Sequence, residues 1–211
     1  MQENPEAAIR LLAEKYATTL KDKIDSRVLD MDADDNSHYL IYRVLGIATE
    51  EGRLIDVYQN KGRFLYKYAG SFLEEAATLC LLFKYPNALP KVKIPNTIGQ
   101  RPKTFEIDCL VENDAIEIKW RDATTDGDHI TKEHTRVQNI KNAGYNPIRV
   151  MFYFPNRQQA IRIQNTIKTI YEGMGGHYYF AEDAWSFIEE FTGIDLLAIL
   201  ERIADSKVGE Y

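Results

Sequence analysis

Cysteine is scarce: the 211 residues contain two, Cys80 and Cys109, each inside an apolar run. Two such thiols cannot supply the disulfide framework of a small secreted scaffold, and no CxxC or Cys/His cluster gives a zinc-site spacing, so they read as reduced, buried thiols. Long apolar runs are missing too. None is longer than Leu79 to Phe83, which falls far short of the roughly 20 residues a membrane-spanning helix needs. The opening Met1-Gln2-Glu3-Asn4-Pro5 has neither the basic nor the apolar stretch of a secretory leader, so the expectation is a cytoplasmic protein with no membrane partner. An excess of positive charge is also lacking. The net charge of −6 argues against a passive nucleic-acid binder, which is usually basic. It leaves room for an enzyme that sets carboxylates beside a polyanion and offsets them with a divalent metal. There is no Ser/His/Asp or Cys/His arrangement. Gly173-Met174-Gly175-Gly176 follows a helical pattern and has no Lys-Ser/Thr after it, so it is not a phosphate-cradling loop. Repeats and low-complexity segments are absent as well.

With 45% hydrophobic and 27% charged residues, the chain has an ordinary globular composition. Its length suits one domain, 1–211, with a helical N-terminal part (1–68), a core (69–172) and a helical C-terminal part (173–211). Asn4 and Pro5 supply an N-cap and a first helical position, and Ile9, Leu12, Tyr16 and Leu20 follow at helical spacing. Asp30 to Asp35 reads as a loop. Helices are expected from about Ser37 to Ala48 and from Glu50 to Gln59, with a turn at Asn60-Lys61-Gly62-Arg63. Gly70 to Tyr85 is a helix with a wide apolar face of Phe72, Ala76, Leu79, Leu82 and Phe83, stopped by Pro86.

Beyond Pro86 the period becomes extended. Strands are expected over Lys91–Pro95, Lys103–Glu112 and Ala115–Arg121, with Asn113-Asp114 turning the last two into a hairpin. A helix over Lys132–Ala143, a buried strand over Ile148–Phe154, a helix over Arg157–Tyr171, a turn at Gly173–Gly176 and a helix over Glu182–Ile203 broken near Gly193 complete the chain. This order predicts an α/β fold: a mixed sheet flanked by helices, with helical additions at both ends.

Chemistry gathers on two adjacent strands. Glu117 and Lys119 are two apart and point to one face. Antiparallel pairing across the hairpin brings residues near 109 opposite residues near 117; the sequence does not fix the register, but it allows Asp108 and Glu117 to be neighbours. Two carboxylates that close raise each other's pKa unless a cation lies between them. Mg²⁺ meets this need: it takes one or two carboxylates, keeps several waters and accepts phosphate oxygens. Asp108, Glu117 and the Ile118 carbonyl are the candidate ligands, with Lys119 placed to hold a phosphate oxygen.

Asp108, standing nine positions before Glu117-Ile118-Lys119, resembles the D-x(n)-E-x-K signature of the PD-(D/E)xK nuclease superfamily, whose best-known members are type II restriction endonucleases. The run from Thr104 through Thr135 is similar to the ApaLI-type restriction endonucleases. The resemblance covers roughly residues 65–155, with Ile107 in place of the proline usual before the aspartate. It implies a restriction-endonuclease-like core and a Glu on the preceding helix that joins the metal site. Glu74, four after Gly70, is preferred for that role, and Glu75 stays open. It also implies a homodimer that cuts a specific double-stranded DNA sequence with Mg²⁺, leaving 5′-phosphate and 3′-hydroxyl ends, since two-fold symmetric sites suit a two-fold protein.

On this reading the segment after Lys119 meets DNA through Arg121, Thr124, Thr125, His129, Lys132 and Arg136. For each of these residues, a solvated helix face or a polar turn capping the next helix is the competing interpretation. Two other functions are open: a structure-specific or repair nuclease of the same superfamily, which net charge −6 and the helical additions disfavour, and a non-catalytic DNA- or protein-binding domain.

Overall fold

The computed structural model describes residues 4–99, 101–122, 124 and 126–208. The order of elements is α1 (Pro5–Asp32), α2 (Tyr39–Val44), α3 (Thr49–Lys84), β1 (Leu89–Pro95), β2 (Thr104–Val111), β3 (Asp114–Arg121), α4 (Asp128–Asn142), β4 (Asn146–Tyr153), α5 (Gln158–Gly173), β5 (His177–Phe180), α6 (Glu182–Thr192) and α7 (Leu196–Val208). They form two compact units, one made of residues up to Arg10 together with Leu73 onward, the other of Leu11–Phe72.

The Leu11–Phe72 unit is helical. α1 opens as the sequence predicts, with the Glu6 amide donating to Asn4 Oδ1 at 3.0 Å. The turn expected at residues 60–63 is not formed: α3 runs through it without a break. Asn60, the strongest turn former there, is used inside the helix. Its Nδ2 donates to the Asp56 carbonyl at 2.9 Å, and its Oδ1 accepts from Arg27 Nε at 3.2 Å. One Asn and one Gly cost a helix about 1–2 kcal/mol together, which packing along α1 readily offsets. That packing includes Tyr16, whose ring meets Tyr68 and Phe72 edge-on at 6.2 and 5.8 Å. The acidic stretch stays helical as far as Asp32, and Asp35 then caps a turn by accepting from the Ser37 amide at 2.8 Å.

The other unit contains a five-stranded mixed sheet in the order β1-β2-β3-β4-β5. β1, β2 and β3 pair antiparallel, while β3, β4 and β5 run parallel through the crossover helices α4 and α5. The fold is therefore α/β, a mixed sheet flanked by helices as the sequence predicts. One face is covered by α4 and α5, where Val137, Met151, Ile163, Ile167 and Tyr171 form a core cluster. Trp185 of α6 packs against Phe152 of β4 at 4.3 Å, and Phe187 stacks on Tyr179 of β5 at 4.4 Å. The β2–β3 turn is Glu112-Asn113, one residue earlier than expected, with Glu112 at φ +52°.

β5 is the element that sequence patterning did not reveal. Four residues are too few to show a period, and the Gly-rich stretch before it read as a plain turn. Gly176 is what admits it. A Cβ there would collide with the Pro147 carbonyl, so only glycine lets β5 close onto β4.

Candidate functional site

The site lies where the antiparallel and parallel halves of the sheet meet, on β2 and β3. Pairing of Cys109 with Ile116 brings Asp108 beside Glu117, and the Lys119 ammonium lies between their side chains. Asp108 is 8% exposed and Glu117 is 3% exposed. Asp108 Oδ2 accepts a hydrogen bond from the Ile118 amide at 2.6 Å. The Lys119 ammonium reaches three oxygens at once: Glu117 Oε1 at 2.6 Å, Asp108 Oδ2 at 3.4 Å and the Ile118 carbonyl, to which it donates, at 3.1 Å.

The electrostatics follow from this crowding. Burial, and then the Glu117 charge, push Asp108 up to about 7, against the pull of Lys119. Glu117 is buried more deeply, yet Lys119, Arg136 and Arg149 outweigh that burial and hold its carboxyl below the ordinary value. Burial disfavours the Lys119 ammonium, but Glu117 and Asp108 together hold its pKa above normal. Of the two candidate glutamates on α3, Glu74 is the one whose carboxyl shares a hydrogen bond with Asp108 and feels Glu117 and Lys119. Its pKa is raised, first by burial. Glu75 is half-buried one position further on.

The three oxygens around the Lys119 ammonium are the ones the sequence puts forward as Mg²⁺ ligands. They converge on a single point occupied by a cation, and burial, with the Glu117 charge, holds the Asp108 and Glu74 carboxyls up. Two carboxylates and a carbonyl are the hard-oxygen donors Mg²⁺ prefers, so the residues fit the ion. Among the described residues no group of three or more His, Cys, Asp or Glu side chains is arranged to hold a metal.

The residues proposed to meet DNA divide into three groups. Arg121, at the end of β3, and Lys132, on α4, are exposed. Thr124 and His129 are tied into the turn before α4: Thr124 Oγ1 accepts from the Asp126 amide at 3.2 Å, and His129 Nε2 lies 2.8 Å from Asp122 Oδ2. Arg136 turns inward and pairs with Glu117 Oε1. Thr125 lies outside the described residues.

Sequence reading passed over a second set of charges behind Glu117. Arg149 of β4 is completely buried. Its Nη1 donates to Glu133 Oε2 at 3.0 Å and its Nη2 to Asp122 Oδ2 at 2.7 Å. Glu133 Oε1 in turn lies 3.5 Å from Arg136 Nε, an ion pair without hydrogen-bond geometry. The signal was present in the sequence: Arg149 is a lone cation inside Ile148–Phe152, a run otherwise apolar, and Glu133 stands three before Arg136 on a helix.

Compared with known families, residues 1–205 match the ApaLI-like restriction endonuclease family. No curated protein and no solved structure matches the chain. The matched span takes in both compact units and every residue of the Asp108–Glu117–Lys119 cluster, and on that match the chain belongs to the ApaLI-like restriction endonuclease family.

Proposed function

We propose that the protein is a Mg²⁺-dependent type II restriction endonuclease that hydrolyses phosphodiester bonds at a specific sequence in double-stranded DNA. Family membership makes it a nuclease with a DNA substrate. The observation that carries the finer reading is the convergence of Asp108 Oδ2, Glu117 Oε1 and the Ile118 carbonyl on the Lys119 ammonium.

Asp108, Glu117 and the Ile118 carbonyl would hold Mg²⁺, with Glu74 beside them. The ion, when bound, supplies positive charge at the scissile phosphate and acidifies a nearby water. Lys119 keeps its proton and can bind a non-bridging phosphate oxygen, stabilising the charge that builds up as water attacks phosphorus and the 3′-oxygen leaves. Cleavage in that direction gives 5′-phosphate and 3′-hydroxyl ends. Outward-facing Arg121 and Lys132 would contact the DNA backbone, which fixes register without reading sequence.

A homodimer follows from the two-fold symmetry of palindromic DNA. Leu40, Ile41, Val44 and Leu45, each more than half exposed in the helical unit, offer apolar contact surface for it. The dimer predicts twice the chain's mass by analytical ultracentrifugation, and a strictly monomeric protein bound to its cleavage site would overturn it.

The test of function is digestion of a long DNA of known sequence with Mg²⁺ and with EDTA. Discrete fragments that require Mg²⁺ support the proposal, and their ends give the recognition site. A smear would mean a nuclease without sequence specificity, and intact DNA from folded protein would mean a binding domain.

A further inference from the structure

Arg149 presents a physical problem. A guanidinium with no solvent exposure sits in the middle of β4, in register with Glu117 on β3. Moving a charge out of water costs several kcal/mol, and an apolar side chain of similar size would fill the space without that cost. What an apolar side chain would not provide is direction. The Arg149 fork uses one arm on Glu133 and the other on Asp122. Glu133 then has one oxygen on Arg149 and the other beside Arg136, with the Tyr171 hydroxyl donating to it at 3.5 Å. Arg136 closes the series on Glu117 Oε1, the same oxygen that Lys119 holds.

The charges alternate strictly from Asp122 through Arg149, Glu133 and Arg136 to Glu117, with Arg149, Glu133 and Glu117 buried and Asp122 and Arg136 partly so. The Arg136 and Arg149 Nε atoms are the only buried guanidinium nitrogens among the described residues that lack a hydrogen-bond partner.

We propose that Arg149, Glu133 and Arg136 form a positioning chain that fixes the direction of the Glu117 carboxylate, and that through Asp122 it ties this carboxylate to the turn leading into α4. The proposal rests on the reading of Asp108, Glu117 and Lys119 as the cleavage site. None of the three chain residues touches the reacting atoms. They act by allowing Glu117 one rotamer, the one that faces Asp108, so that the oxygens meeting a cation are placed before it arrives. Asp122 begins the segment that also carries His129, whose ring it holds at 2.8 Å. The segment proposed to face DNA and the innermost carboxylate of the site thus share a single buried connector.

The test uses the full-length protein and four variants: Arg149→Met, which keeps length and removes charge; Arg149→Lys, which keeps charge and loses the fork; Glu133→Gln, which keeps shape; and Lys119→Ala as a control. Single-turnover cleavage of a long duplex that the wild type cuts gives a maximal rate and a half-saturating enzyme concentration. Mn²⁺ binding without DNA, read from the free-ion electron paramagnetic resonance signal, is a measure independent of cleavage.

The chain predicts that Arg149→Met and Glu133→Gln lower the maximal rate by about 30-fold or more and weaken Mn²⁺ binding several-fold. Half-saturation by DNA should stay within about 2-fold of wild type, and Arg149→Lys should recover part of the rate. If Arg149→Met does not fold, Glu133→Gln carries the same prediction. Folded variants with wild-type rate and Mn²⁺ binding would overturn the chain. So would a rate loss matched by an equal loss of DNA affinity with Mn²⁺ binding unchanged. A Lys119→Ala protein that still cuts would instead overturn the site itself, which keeps the two failures distinguishable.

Discussion

The Ile118 amide donates to Asp108 Oδ2 at 2.6 Å, across the β2–β3 pairing. This bond locks Asp108 to the strand that carries Glu117 and Lys119. Burial and the Glu117 charge hold the Asp108 pKa up at about 7.

A pH dependence follows. A carboxyl whose pKa rises on folding opposes the folded state when it ionises. The penalty is absent below the unfolded value, grows as pH rises toward about 7, and is fully present above that. Metal-free Asp108→Asn should therefore melt higher than metal-free wild type at pH 8, by on the order of 5 °C, with the gap closing toward pH 4. Mg²⁺ should raise the wild-type melting temperature and leave the variant unmoved. A gap that does not change with pH, followed by differential scanning calorimetry, would contradict this account.

Glu74 and Glu75 are adjacent in sequence, but the hydrogen bond to Asp108 belongs to Glu74. Glu74→Gln should lower the cleavage rate at limiting Mg²⁺ by about 10-fold or more, while Glu75→Gln stays within about 3-fold. Equal effects from the two, measured across a Mg²⁺ titration, would remove Glu74 from its special place.

Asp122 has the opposite sign. Its own burial opposes ionisation, but His129 and Arg149 prevail and hold its carboxyl well below the usual range. The stability it contributes is present above the unfolded carboxyl value and is lost as pH falls below that toward the depressed folded value. Asp122→Asn leaves Arg149 with one carboxylate and should cost about 1–3 kcal/mol at pH 7. The difference from wild type in urea titrations should shrink below about pH 4. A deficit that persists unchanged in acid would mean the loss is one of shape rather than charge.

The central part of the fold was legible because its signals are local. Alternation over Thr104–Val111 and Asp114–Arg121, joined by a short polar turn, is enough to bring Asp108 into the neighbourhood of Glu117 and Lys119. The register itself was open in the sequence: the turn forms at Glu112-Asn113, one residue before the expected Asn113-Asp114, and it is the pairing of Cys109 with Ile116 that sets it. What escaped depends on distant partners. Asn60 signals a turn until Arg27, thirty-three residues away, takes its side chain. Arg136 reads as a DNA-facing cation on an exposed helix until β3 and β4 place Glu117 and Arg149 beneath it. The Arg149–Glu133–Asp122 contacts join β4, α4 and the end of β3, and no single window of sequence contains all three.

The most direct measurement is single-turnover cleavage by Lys119→Ala beside wild type, with saturating Mg²⁺ and a long duplex. Lys119 lies within 3.4 Å of both carboxylates and of the Ile118 carbonyl, so its ammonium is the cation the site already holds. The account predicts a rate lower by about a thousand-fold or more, with duplex binding within about 5-fold of wild type. A folded Lys119→Ala protein cutting at the wild-type rate would contradict it and move the chemistry away from Asp108, Glu117 and Lys119.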